Sequence, residues 1–554
     1  MLNQLFRKKP VQQALENDPE QAESHALHKV LTARDLTFFG IAAIIGAGSF
    51  SSMGEACFKG GPGVVILFII CAVACGFTAL CYAEFASRVP ASGSAYTYAY
   101  VSFGELFAWI IGWALLMEYS IGNIYVAFSW SGYFTNLLEG VGLHLPEWLT
   151  TNYRSASNMY EQNISSEGML AWITAPKVGG LRIIFDLPAV VANVLITALV
   201  YVGVKESRNA SNVMVMLKLA VIVLVIGVGV FYVDIDNWTP FMPNGFTGVM
   251  GGVAAVFFAF IGFDAVSTLA EESKDPQRDL PKGMIYSLII CTVVYIALAL
   301  VLTGMVSYAY LGVSDPLAEV FKLRGVKWML YIVSFVAVVA MTSVLLVFQM
   351  GQPRIWMSMS RDGLMPKRFA SIHPKYKTPG FATIVTGLVV GIPLFFTDEK
   401  FVLDFTSIGT LFAFVLVCGG VLMLPPKEKS TDGKFNLPYI NAKFIFPAMV
   451  LVSAALLLKF NPEFISNTFV INSETAATNI PMLVFFLVCV LMAIFSFMKN
   501  FSLIPVMGVI SCCYLLTGMA LSNWIWFTVW LLIGIVIYFL YGFRKSKLAN
   551  NNSH

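Results

Sequence analysis

Between Lys59 and Glu84 the chain runs for a full membrane thickness without a charged side chain. A helix of ~20 apolar residues crosses a hydrocarbon core of about 30 Å. In lipid, every backbone polar group must be satisfied internally, and a helix does this within one segment. The pattern recurs: stretches at 35–57, 63–86, 104–136, 183–204, 209–233, 246–270, 284–307, 328–357, 381–397, 401–424, 443–460, 479–498, 502–521 and 523–543 are expected to span. The expected fold class is therefore an all-α polytopic membrane protein of about 14 spans.

Composition closes off the alternatives. Hydrophobic residues make up 58% of the 554 and charged residues 12%, with a mean hydropathy of +0.75. Soluble domains are about a quarter charged, so a soluble enzyme, a disordered scaffold and a nucleic-acid binder are excluded. A net charge of +3 gives no footprint for a polyanion. Lysine and arginine set the expected orientation. With residues 1–34 as a cytoplasmic arm, only Lys59, Arg154, Lys177, Arg182, Lys322, Arg324, Lys327, Lys400 and Lys459 of the 35 cations fall in outer loops. Both termini are then cytoplasmic, in a plasma membrane or a bacterial inner membrane. The arm shows no signal-peptide pattern. The sequon at Asn163-Ile-Ser is a chance triplet.

Chemistry-bearing side chains are sparse. The nine cysteines lie almost all in apolar runs at no zinc-like spacing and read as small buried hydrophobes. All five histidines fall in loops or tails. No metal, cofactor or catalytic constellation is expected, and an integral membrane enzyme is set aside. A channel would need a continuous polar pore, and a sensing receptor a larger soluble domain.

The informative feature is where apolar helices are broken. Span one contains Gly46-Ala-Gly48, and span six contains Phe258-Ala-Phe-Ile-Gly262-Phe-Asp264. The breaks lie five spans apart, and an odd offset means the second copy is inverted across the membrane. Glycine lets the backbone unwind and free its N–H and C=O groups, which is tolerated only against protein or a cavity. Matched breaks in two halves point to a transporter's binding site. Free N–H groups at a half-helix start suit a carboxylate, and free carbonyls at a half-helix end suit an ammonium. Together they fit the zwitterion of an amino acid.

These segments carry a resemblance. Asp35-Leu-Thr through Gly48, Cys81-Tyr-Ala-Glu84-Phe-Ala-Ser-Arg88, the run Phe257 to Glu272 with Asp275-Pro-Gln-Arg-Asp-Leu-Pro281, Ser360-Arg-Asp-Gly-Leu-Met-Pro366 and Trp530 to Gly542 are similar to the amino acid–polyamine–cation transporter superfamily. Within it they resemble the cationic amino acid transporter family, in its bacterial-type proton-coupled form. The resemblance implies a core at 35–424 made of two inverted five-helix repeats (35–233 and 246–424), peripheral helices at 443–543 and a cytoplasmic tail at 544–554. It implies a carboxylate site at Ile44, Gly46, Ala47 and Gly48, and an ammonium site at the carbonyls of Ile44, Phe258, Ala259 and Ile261. Met341 matches a position lining the substrate side-chain pocket. Phe258, Phe260 and Phe263 are expected to gate the site, and Asp264 to cap the resumed helix. Ser49-Phe-Ser-Ser-Met53 is more polar than the family's usual run.

Two charges lie within spans. Lys218 sits about half-way across span five, and an intramembrane lysine costs at least ~2.5 kcal/mol on insertion scales. The resemblance matches it to the lysine that, in proton-coupled members, stands where sodium-coupled members bind a cation. A desolvated lysine can titrate near neutrality, so it is expected to carry the coupled proton. The coupling ion is expected to be H+, and no cofactor is expected. Glu118, in span three, matches an acidic position in the family and is expected to be a proton way-station or a partner of Lys218. Glu84 with Arg88, and Glu271 and Glu272 with Arg278, read as salt bridges near the cytoplasmic ends. The expected activity is proton-coupled uptake of amino acids. Methionine at 341 offers a cationic side chain no partner, so small neutral substrates are expected to beat arginine and lysine. The alternatives are a cationic amino acid facilitator or exchanger and, from another class, an amino acid-sensing receptor. The expected partners are the amino acid and membrane lipid; oligomeric state is not legible.

Overall fold

The computed structural model describes residues 7–9, 31–89, 95–161, 167–203, 207–313, 315–424, 435–460, 463, 467–472 and 475–548. The sequon at Asn163, the Glu271 side chain and most of the N-terminal arm lie outside the described residues.

Each of the fourteen apolar stretches coincides with a helix or an interrupted set of helices. We number the principal ones α1 (Ala33–Ile44), α2 (Met53–Gly60), α3 (Val64–Arg88), α4 (Glu105–Gly140), α5 (Leu187–Val202), α6 (Ser207–Gly229), α7 (Val253–Phe260) and α8 (Pro276–Met305). There follow α9 (Lys327–Arg361), α10 (Gly380–Gly391), α11 (Glu399–Met423), α12 (Ala442–Phe460), α13 (Ala476–Lys499), α14 (Leu503–Leu516) and α15 (Leu521–Ile537). Among the described residues, 10 helical segments are long and apolar enough to cross a membrane, and three shorter apolar helices accompany them.

Helices α4 and α9 form the most extensive pairing, with α8 lying across α1 and α3. The segment Val253–Ala270 is 100% buried, whereas only 11% of the apolar stretch of α12 and 6% of that of α13 is buried. Aromatic hydrogen bonds tie the last helix to this centre. The Trp113 indole donates to the Trp530 carbonyl (2.8 Å) and the Trp530 indole to the Trp113 carbonyl (3.1 Å). The described parts of segment 147–186 are not a plain loop. They fold into short helices and one antiparallel pairing, Lys177–Val178 with Leu181–Arg182, over a small cluster of Ala156, Ala171, Ala175 and Ile184. At the opposite face Lys9 pairs with Asp362 (2.7 Å), which also accepts the Tyr96 hydroxyl (2.8 Å).

Candidate functional site

Helix α1 stops at Ile44, and Ile45 turns extended (φ −81°, ψ 102°). A wide, π-helical segment, Gly48–Ser52, then leads into α2. Its first amides, Ser49 and Phe50, both donate to Gly46 O (3.0 Å). The amides ahead of them stand at a helix start, where leading N–H groups lack intrahelical partners. Helix α7 ends in the same way. Ile261 is extended (φ −61°, ψ 139°), Gly262 takes φ +119°, and tight turns resume over Phe263–Glu272.

The two breaks touch, and each touches through a glycine. A Cβ on Gly48 would lie 2.6 Å from Ala259 Cα, and one on Gly262 would lie 2.9 Å from Ala43 carbons. Gly262 is doubly constrained, because its positive φ is open to few other residues. Beside this contact lies a small cavity of about 10 Å3, room for a single water, lined by Ala43, Ile44, Ala47, Gly48, Val126, Phe258, Ile261, Val344 and Phe348. No charged side chain lines it.

Of the residues expected at the substrate, Ile44, Ala47, Gly48, Phe258 and Ile261 line this cavity and three do not. Gly46 has its α-carbon against Val344, where a Cβ would come within 2.2 Å of a methyl. Ala259 packs on Gly48. Met341 is fully buried and absent from the lining; Val344 and Phe348 line it from α9 instead. They follow Met341 by three and seven residues on one helical face, a spacing that makes them neighbours of Met341 but was not read from the sequence. Val126 lies two turns beyond Glu118 and was missed because an isolated valine in an apolar helix carries no signal. The Ile44 carbonyl is not wholly free, since Tyr295 donates its hydroxyl to it (2.9 Å). Of the three expected gate aromatics only Phe258 lines the cavity, its ring 4.6 Å from that of Tyr125. Phe260 packs on Phe68 and Tyr295, and Phe263 on Tyr82 and Phe414.

Lys218 is completely buried in α6. Its ammonium donates to Ala42 O (2.9 Å), Ile45 O (2.6 Å) and Ser343 Oγ (3.1 Å). An ammonium has three donors, and here all three are used. Two satisfy carbonyls that the break leaves without helical partners. Ser343 passes its own proton to Ala340 O (2.6 Å), so its oxygen is oriented to accept. The lysine thus holds the end of α1 to α9.

Glu118 is not the partner of Lys218. It is buried on α4 and the charged group it faces is Asp264; its Oε2 has no hydrogen-bond partner among the described residues. Asp264 does not cap the resumed helix. Gly262 occupies that position, and neither Asp264 oxygen is hydrogen-bonded among the described residues. On the side of Lys9 and Asp362, Arg88 bonds Glu84 (2.6 Å) as expected, but Glu272 pairs with Arg354 of α9 (2.5 Å) rather than with Arg278. Sequence spacing favoured the local cation; the fold brings in the distant one.

Comparison with known proteins bears on this geometry. The family model described as amino acid permease matches residues 31–492, and the model for the permease C-terminus matches 502–546. The branched-chain amino acid permease BcaP of Bacillus subtilis (strain 168) is 38% identical over 550 residues, covering 99% of this chain and 100% of that protein. The methylthioribose transporter of the same organism is also 38% identical, with the same coverage. The vacuolar cationic amino acid transporter 2 of Arabidopsis thaliana is 30% identical, covering 96% of this chain and 92% of its own length.

Proposed function

Because the chain belongs to the amino acid permease family, we propose that it imports small and medium neutral amino acids, aliphatic ones above all, together with a proton. The observation that carries the substrate reading is the cavity lining: backbone from both helix breaks on one side, and Val126, Val344 and Phe348 on the other. The breaks provide for the zwitterion that every amino acid shares. The apolar wall selects the side chain. Burying a guanidinium there without a partner costs several kcal/mol, which a few methylene contacts at about 0.8 kcal/mol each do not offset. A branched-chain permease among the relatives accords with this wall.

In this proposal residues 35–424 form the core of two inverted five-helix repeats, and α12–α15 are peripheral. The fourteen stretches all cross, with both termini in the cytoplasm of a plasma or inner membrane. Lys218 and Glu118 handle the proton. The three bonds of Lys218 need an ammonium, so loss of the proton loosens the end of α1 from α9 and ties protonation to the shape of the break.

The test is uptake by purified protein in liposomes. Leucine or alanine should accumulate under an inward proton gradient without sodium, excess arginine should barely compete, and methylthioribose serves as the uncharged non-amino-acid competitor. Preference for arginine would replace the neutral reading with the cationic one. Accumulation that needs sodium and ignores the proton gradient would remove the role of Lys218.

A further inference from the structure

Above the cavity, on the face that carries segment 141–186, three separate elements meet at one carboxyl group. Glu399 opens α11, two residues ahead of the apolar run that begins at Phe401. Its Oε1 accepts hydrogen bonds from Ser129 Oγ of α4 (3.1 Å) and from Ser51 Oγ of the segment that follows the first break (3.4 Å). Ser51 in turn accepts the Tyr125 hydroxyl (3.3 Å), and the Tyr125 ring rests on Phe258, part of the cavity wall. A continuous line of contacts therefore joins the carboxyl group to the site.

The charged groups around Glu399 leave it without a counter-ion. Glu55 of α2 is tied to Lys59 (2.9 Å), and Asp398 to Arg154 (3.0 Å). Asp315 accepts Asn136 Nδ2 (2.7 Å), and Asp186 accepts Ser131 Oγ (2.5 Å) and the Ala189 amide (3.0 Å). The phenols of Tyr125 and Tyr133 point to Ser51 and to Phe50 O. Among the described residues no cation pairs with Glu399. Among the described residues the nearby cations are paired with other acids, and the charges that act on Glu399 are those of Glu55 and Asp315.

We infer that Glu399 is a proton-binding latch on the outer path: protonated, it holds the segment Gly48–Ser52 against α4 and α11 and keeps the cavity covered, and deprotonated it releases them. The inference deepens the transporter reading and rests on its orientation. Burial, reinforced by Glu55 and Asp315, pushes the Glu399 carboxyl up to about 7, against the opposing hydrogen bonds of Ser129 and Ser51. Once the path opens and water returns, the group reverts to the ordinary glutamate range near ~4.3. The closed state thus binds the proton more tightly. Between these two values acid favours closure, and raising the pH towards the upper one favours opening.

The test reads the gate directly. Spin labels are placed at Phe58→Cys and Val141→Cys, on exposed positions of α2 and just past α4, in a cysteine-free background in lipid nanodiscs without substrate. Between pH 5.5 and 7.5 the ratio of long to short distances should rise about tenfold or more. Glu399→Gln, uncharged at every pH, should abolish that response. Ser129→Ala keeps the acid but removes one bond that favours its charged form, so it should move the midpoint to higher pH. A Glu399→Gln protein that responds like wild type, a flat wild type, or an unmoved Ser129→Ala midpoint overturns the latch. Liposome uptake in the same preparations separates the two claims: a pH-dependent distance without proton-driven uptake sustains the latch and removes the coupling.

Discussion

The broken helices at the centre and the α12–α13 pair at the edge are both apolar, and they use that property in opposite ways. Val253–Ala270 is wholly buried, whereas only 11% and 6% of the apolar stretches of α12 and α13 are. Around the breaks, contacts are specific: Gly48 meets Ala259, Gly262 meets Ala43, and Lys218 binds two carbonyls. In α12 and α13, side chains such as Leu451 (71% exposed) and Leu487 (58%) face outward. Lipid tails are as apolar as leucine, so no hydrophobic force drives such helices together. The centre is therefore defined by shape and hydrogen bonding, and the edge, beyond a small cluster around Ala442, Phe446 and Val506, mainly by solubility in lipid.

That contrast can be broken by substitution. The largest effect is expected at the touching glycines. Gly48→Val or Gly262→Val should leave no substrate binding measurable by calorimetry, because the added carbons meet backbone and cannot be accommodated by a rotamer change. A Gly48→Val protein that binds like wild type would show that the breaks do not form the site. Next comes Lys218→Met, which should keep exchange of substrate across the membrane while gradient-driven accumulation falls to the equilibrium ratio, as liposome uptake at imposed pH differences would show. A smaller change is expected at the cavity wall. Phe348→Ala removes several carbon contacts and should shift preference from alanine towards phenylalanine about tenfold, at ~0.8 kcal/mol per methylene equivalent, read as a ratio of competition constants. At the edge, Leu451→Ala and Leu487→Ala should change uptake less than twofold and stability by no more than about 0.5 kcal/mol. A large loss there would mean that α12 and α13 have a partner and are not simply lipid-facing.

The same contrast explains what the sequence made legible. Apolar runs located the helices because lipid demands them, and paired glycines located the breaks because little else permits such backbone. Lys218 stood out because a lone charge in a span needs a reason. Side-chain neighbours were harder. Met341, Val344 and Phe348 share one face of α9, and only three-dimensional packing decides which of them reaches the cavity. Glu272 had a cation six residues away in Arg278, yet the fold supplies Arg354. Glu399 escaped notice because, next to Asp398 at a helix start, it looked like an ordinary first-turn acid. The partners that single it out come from residues 348 and 270 positions away.

The reciprocal seating of Gly48 on Ala259 and of Gly262 on Ala43 has a mechanical consequence. Two contacts crossing in opposite senses, each closed to within a methyl group, leave the pair of breaks little room to slide. They act as a pivot. Rotation about that point displaces the far ends of the broken helices most and the substrate least. In the transport cycle proposed above, such a lever would hand the cargo from one face to the other while the atoms proposed to grip it stay almost still.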